Sequence, residues 1–185
     1  MGTGSVHYCH GLLDVAFVFS APGSIEKLAV APTSGVTGDH FEIVLKRLNH
    51  AYPDIFRSTH RYDYRITNAF TEPLARTLGH DRTEAGSAHI KTASNRNRIL
   101  GELDGMRLVV LCGRKAGLLA PELGGFALVK TGHLSQNGLN STWPTRVLGP
   151  DAHRLSSEER RHLRLAAWEC DVIAQVGALV QAGRL

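Results

Sequence analysis

A three-layer α/β/α sandwich, with a central, mostly parallel four-stranded sheet, is the α/β fold class predicted by three observations on the 185-residue chain. Short apolar runs alternate with stretches of helical periodicity, the pattern of a mostly parallel sheet covered on both faces. Each run ends in small or polar residues, as buried strands do where they hand loops to the carboxyl edge of a sheet. No Pro-, Gly- or Ser-rich linker divides the chain, so residues 1–185 are read as a single domain.

The first strand is the run Leu13–Ser20, stopped by Ala21-Pro22-Gly23. A Gly- and Pro-containing loop from Ser24 to Gly38 follows, and Asp39 is placed to cap an amphipathic helix with Phe41, Val44, Leu45 and Leu48 on one face. Tyr64–Phe70 reads as a second buried strand, ended by Glu72-Pro73. Residues 74–90 are polar and rich in Gly and Thr, which suits a loop or short helix over one edge. A helix around 92–103 precedes Met106–Gly113, the clearest strand pattern in the chain. Lys115 to Leu119 begin another helix, and Phe126–Val129 form a further strand. Ser156-Ser157-Glu158-Glu159 supplies a cap and an acidic first turn for a closing helix over 156–182.

Composition excludes more than it identifies. Apolar residues make up 43% and charged residues 21%, a globular balance, and no period or low-complexity block is present. No apolar run approaches the roughly 20 residues that span a bilayer. The opening MGTGSVHYCHGLLD lacks the charged and apolar regions of a signal peptide, so a cytoplasmic location is expected. Three Cys, at 9, 112 and 170, have no CxxC spacing and build neither a disulfide framework nor a four-Cys cluster. His7, Cys9 and His10 are potential metal ligands without a fourth partner, so no metal is expected. A net charge of +4 permits a polyanionic partner without requiring one.

In a sheet of this kind ligands bind at the carboxyl ends of the strands. Ser20-Ala21-Pro22-Gly23, Thr67-Asn68-Ala69 and Thr131-Gly132-His133-Leu134-Ser135 all fall there. With Pro32-Thr33-Ser34-Gly35-Val36-Thr37-Gly38 and Val109–Ala116 they form five segments in an order that resembles the uracil-DNA glycosylase superfamily. The resemblance covers about Phe17 to Asn140, and the P-x-x-G-x-x-G segment is closest to the thermostable bacterial and archaeal branches. It implies a monofunctional DNA glycosylase that flips a pyrimidine, uracil or a modified one, and hydrolyses its N-glycosidic bond. Base-excision repair, or defence against modified phage DNA, is the implied setting. DNA, duplex or single-stranded, is the implied partner, and a cytoplasmic or nucleoid-associated location follows. No obligate protein partner and no cofactor are expected.

The resemblance assigns His133 to the departing base oxygen, Asn68 to the base edge and Asp39 to the attacking water, with Glu26 and His40 as reserves. Ser20, Ala21, Pro22, Gly23, Thr33 and Gly38 would join Asn68 around the base, and Ser135, Gln136, Asn137, Asn140 and Arg61 would hold DNA. Cleavage puts negative charge on the leaving base, and preorganised donors there stabilise it. An amide such as Asn68 offers both a donor and an acceptor. Asp39 also reads as a plain helix cap, and a capping carboxylate keeps one oxygen for other work. The chain departs from the family pattern in its first motif, where Ser20 and Ala21 replace an acidic or amide residue. Gly23 and Thr33 stand where relatives carry aromatic rings, which implies a roomier pocket. Four cluster cysteines are missing as well. The lost first-motif carboxylate leaves an alternative open, a non-catalytic reader of modified or damaged bases. A nucleotide-binding α/β enzyme is disfavoured, because no G-x-G-x-x-G or GxxxxGK[ST] follows the first strand.

Overall fold

The computed structural model describes residues 5–81 and 85–185. Part of the expected 74–90 loop, residues 82–84, lies outside the described residues. Five strands form one sheet in the order β1-β3-β2-β4-β5: β1 (Tyr8–Cys9), β2 (Val15–Phe19), β3 (Arg65–Asn68), β4 (Leu108–Cys112) and β5 (Ala127–Thr131). Four of them are parallel, and the predicted four-strand count is corrected by β1, which pairs antiparallel to the outer edge of β3. Two residues are too short to show a sequence period, and Tyr8 and Cys9 sit among polar and Gly neighbours.

Alternation along the central strands divides the interior into two layers. Val15, Phe17 and Phe19 of β2 and Leu108, Val110 and Cys112 of β4 face one side. There they meet Phe41, Leu45 and Leu48 of α2 (Val36–Ala51) and Trp168, Val172 and Val176 of α7 (Ser157–Gln181). Ala16, Val18, Val109 and Leu111 face the other side, against Ile99 of α4 (Ala93–Glu102) and Ala116 of α5 (Arg114–Gly117). The Phe17 ring makes edge contacts with Phe41 at 4.5 Å and Tyr64 at 5.5 Å, each of the kind worth about 1 kcal/mol beyond burial. The sandwich is therefore the predicted one.

Two shorter helices were not foreseen, α1 (Ser24–Ala29) and α6 (Gln136–Thr142), while α3 (Ser87–Ile90) is a short helix within the 74–90 segment. The Asp39 cap is corrected. Helix α2 starts at Val36 with Gly35 as its cap, so Asp39 lies a full turn inside and is exposed. Gly35 takes φ 82°, a conformation that Gly reaches without penalty, and the chain turns into the helix before Asp39 is reached. Helix α7 has the expected cap, Ser156, whose hydroxyl accepts from Glu159 N–H while the Glu159 carboxylate accepts from Ser156 N–H.

Sheet order determines where a ligand can enter. The connection after β2 leads through α2 to β3 on one side, and that after β4 leads through α5 to β5 on the other. Adjacent strands whose connections part in this way leave a crevice at their carboxyl ends.

Candidate active site

That crevice is a cavity of about 480 Å³ lined by Ser20, Pro22, Glu26, His133, Asn137 and Ser141, among others. The loop carrying His133 leaves β5 and is fixed from three directions. Trp168 Nε1–H donates to Gly132 O at 2.8 Å, the His40 ring pairs with Leu134 O at 2.7 Å, and the Ser135 hydroxyl caps α6 by accepting from Gly138 N–H at 3.2 Å. A carbonyl oxygen only accepts, so the proton of His40 sits on Nδ1.

His133 is held as tightly. A Cβ at Gly138 would come within 2.5 Å of His133 O and 2.6 Å of His133 Cβ, and one at Gly113 within 2.9 Å of the same Cβ. Two glycines thus make the slot in which His133 stands, with its ring edge-on to Phe19 at 5.6 Å. Ser135 N–H donates to His133 Nδ1 at 3.0 Å. An N–H donor requires a lone pair on that nitrogen, so the proton of the neutral ring is on Nε2. Burial lowers the pKa of His133 to about 4, so at neutral pH the ring is an uncharged donor.

Glu26 is the carboxylate of the cavity. It lies in the first turn of α1, and Gly23 N–H donates to its Oε2 at 3.0 Å. A Cβ at Gly23 would lie 2.9 Å from that oxygen, so the small residue at 23 is what admits the carboxylate. Burial raises the pKa of Glu26, and the two backbone hydrogen bonds it accepts offset this only in part.

The other expected residues divide. Ser20, Ala21, Pro22, Gly23, Glu26, His133, Ser135 and Asn137 come together around the cavity. Asp39, Asn68, Thr33 and Gly38 do not line it. Asn68 is buried at the end of β3, and its Nδ2–H donates to His7 O at 3.3 Å, toward the strand-β1 edge. Thr33 is buried with φ 52°, and Gly38 is where its carbonyl passes: a Cβ there would sit 1.9 Å from Thr33 O. Arg61 donates to Glu42 at 2.9 Å and lies over the Tyr62 ring at 4.8 Å, so its guanidinium is engaged within the protein. Gln136 and Asn140 are exposed on α6 and paired with each other at 3.0 Å. Sequence reasoning missed Thr37, Leu74, Gly138 and Ser141 in the lining. Only the Gly113 and Gly138 positions flanking His133 carried a signal that could have been read.

The possible metal ligands point apart. His7 Nε2 meets Glu102 at 3.3 Å, Cys9 Sγ points to Tyr62 O, and His10 Nδ1 meets the Tyr8 hydroxyl. Glu102 is the centre of a polar network that also takes Thr67 Oγ1–H and Arg98 Nη1–H, each at 2.5 Å. Burial alone would raise its pKa, but hydrogen bonds from His7, Thr67 and Arg98 outweigh burial and hold it low.

Compared with protein-family models the chain matches none, and no curated protein matches it. Among the described residues no helix is long and apolar enough to cross a membrane.

Proposed function

We propose that the protein is a monofunctional DNA glycosylase that takes an extruded pyrimidine into the His133 cavity and hydrolyses its N-glycosidic bond. The observation that carries this reading is His133 itself, a neutral histidine whose tautomer is fixed by Ser135 N–H so that Nε2–H serves as donor in the crevice. As the glycosidic bond breaks, the electron pair goes to the base, and Nε2–H donates to the carbonyl oxygen where that charge gathers. A neutral donor in a fixed position is a recurring device for this task. The water then attacks the cationic sugar carbon and loses its proton. Glu26 is the group for that step in place of Asp39, because it lines the same cavity and burial makes it a better base than an ordinary carboxylate. Asn137 replaces Asn68 as the amide within reach of a base edge. Uracil is the default substrate and a 5-substituted pyrimidine the competitor; the space that Gly23 leaves is taken by the Glu26 carboxylate, so it does not by itself enlarge the pocket. The reaction suits base-excision repair or defence against modified phage DNA in the cytoplasm, at the nucleoid in a prokaryote.

The test is incubation with oligonucleotides carrying uracil or 5-substituted pyrimidines, followed by alkali, which breaks the strand at abasic sites. Strand breaks are expected with the wild type, reduced about 10²–10³-fold in His133→Ala, the usual loss for one donor of this kind. Breaks that persist unchanged in His133→Ala overturn the assignment. A second reading, a non-catalytic base reader, draws on Ser20 and Ala21, which line the cavity where a first-motif carboxylate would stand. Tight binding of a modified oligonucleotide without breaks, equal in wild type and Glu26→Gln, would favour it.

A further inference from the structure

The His133 cavity is one stretch of a longer trough. It shares Ser20, His133, Gly138 and Ser141 with a cavity of about 720 Å³ toward β4 and β5. On its other side it shares Leu74 with a cavity of about 280 Å³, which in turn shares Phe70, Glu72 and His89 with one of about 460 Å³. Given the strand order, the trough crosses the carboxyl edge of the sheet from β5 to β3. Three strand spacings of about 4.8 Å make that roughly 14 Å, more than one extruded base occupies.

Where the last two cavities meet stand the rings of Phe70 and His89, with centroids 6.0 Å apart and planes within 24° of parallel. The rings come from different segments, Phe70 from the loop just after β3 and His89 from α3. One side chain clamps their backbones together. Asn95 Nδ2 donates to Ala69 O at 2.9 Å and to Ile90 O at 2.8 Å, the residues adjoining each ring. Arg98 then fixes Asn95 by donating to its Oδ1 at 2.8 Å, and holds Asn68 O at 2.9 Å. Phe70 is half-buried against the α4 side of the core, while His89 is exposed. Glu72 and Asp81 line the smaller cavity and Arg98 the larger, so neither sign of charge dominates, and what the site offers is the paired rings, which suit the uncharged face of a base.

We propose that Phe70 and His89 form a stacking platform for an unpaired base next to the extruded pyrimidine, so that the preferred substrate is a single strand or a locally opened one. The proposal rests on the glycosylase reading and adds the form of DNA that the site accepts. Aromatic stacking of this kind tolerates every base, because each has a π-face, and losing one stack costs about 5- to 150-fold in affinity.

The experiment measures dissociation constants by fluorescence anisotropy on single-stranded oligonucleotides carrying a 2′-fluorinated deoxyuridine, which resists cleavage. In matched oligonucleotides the base on the 5′ side, then the 3′ side, is replaced by a tetrahydrofuran residue with no base. Wild type is expected to lose 5- to 150-fold when one of the two neighbours is removed. His89→Ala and Phe70→Leu are expected to start weaker by about that factor and to be indifferent to the missing base, while Phe70→Trp keeps the wild-type response. His89 is exposed, so His89→Ala carries the test even where Phe70→Leu fails to fold. Indifference of the wild type to both neighbours, or equal losses in wild type and His89→Ala, removes the platform and leaves the glycosylase reading standing. No binding of any oligonucleotide, together with no strand breaks in the alkali assay, overturns both.

Discussion

Two desolvated groups, one buried and one half-buried, on opposite sides of their ordinary pKa values make the stability of this protein respond to pH in a way that one substitution exposes. Glu169 of α7 is 2% exposed, and burial raises its pKa from 4.5 to about 7 despite Arg47 Nη1 at 3.0 Å. His133 is shifted the other way, from 6.5 to about 4, again by burial. A raised carboxylate binds its proton more tightly in the folded state, so its contribution is intact below about pH 4.5 and is lost as pH rises to about 7. A depressed histidine binds its proton less tightly when folded, so its contribution is intact above about pH 6.5 and is lost as pH falls to about 4. Each gap, at roughly 1.4 kcal/mol per tenfold change in proton affinity, sets an upper limit of about 3 kcal/mol. Solvent at the cavity mouth and the exposed Arg47 reduce this to about 1–3 kcal/mol each. The slopes nearly cancel in the wild type between pH 4.5 and 6.5. Glu169→Gln removes one of them, and its stability is expected to rise with pH by about 1–3 kcal/mol relative to wild type. Urea unfolding of both proteins at pH 4.5, 5.5 and 6.5 gives the difference directly, and other titrating groups drop out of it. Parallel pH curves for the two proteins would refute the reasoning.

Three further outcomes are expected. Gly138→Ala places a Cβ against the backbone of His133, which cannot yield cheaply, so strand breakage should fall at least about 10²-fold while thermal stability drops by only about 1–3 kcal/mol; activity within a few-fold of wild type would contradict it. Val30, exposed and at φ 51°, closes α1 in a left-handed conformation, and Val30→Gly should stabilise by about 1 kcal/mol, seen as a higher melting temperature. The acid limb of the pH–rate profile should lie above pH 4.5 and follow Glu26, whose pKa burial raises, because His133 stays neutral down to about pH 4. Glu26→Gln should remove that limb along with most of the rate, and a limb unmoved in the residual activity would assign it elsewhere.

The core strands were legible because a strand buried on both faces has to be apolar throughout, and Val15–Phe19 and Leu108–Cys112 satisfy that without interruption. The edge strand Tyr8–Cys9 was not, since its stability comes from partners far along the chain. Arg65 Nε–H donates to His10 O at 2.8 Å, and Asn68 reaches back to His7 O. The same fact misled the reading of Asn68. A strand-end amide looks available in sequence, and only the return of the N-terminal segment along β3 shows that its Nδ2 is taken. Asp39 failed for a different reason, because Gly35 at φ 82° starts the helix early and carries Asp39 past the capping position. Glu26 was legible as a carboxylate near the first loop. Its place in the cavity depends on a six-residue helix with no buried residue, for which no apolar period exists.

One cause acts on both members of the proposed catalytic pair. His133 and Glu26 line the same cavity, and for each the largest influence on proton affinity is loss of water. Desolvation disfavours whichever form is charged, so it pushes an imidazole down and a carboxyl up. For His133 the result is a donor with no charge of its own, which strengthens its bond to an oxygen only as that oxygen becomes negative. For Glu26 the result is a stronger base whose proton affinity moves toward neutral pH. An ion pair between the two would undo both effects by stabilising the charged forms. The arrangement avoids one by satisfying each group from the backbone: Ser135 N–H occupies His133 Nδ1, and Gly23 N–H occupies one oxygen of Glu26. Backbone donors hold their position without adding a full charge, so in the proposed reaction the Glu26 carboxylate stays free to face a sugar cation and His133 a departing base.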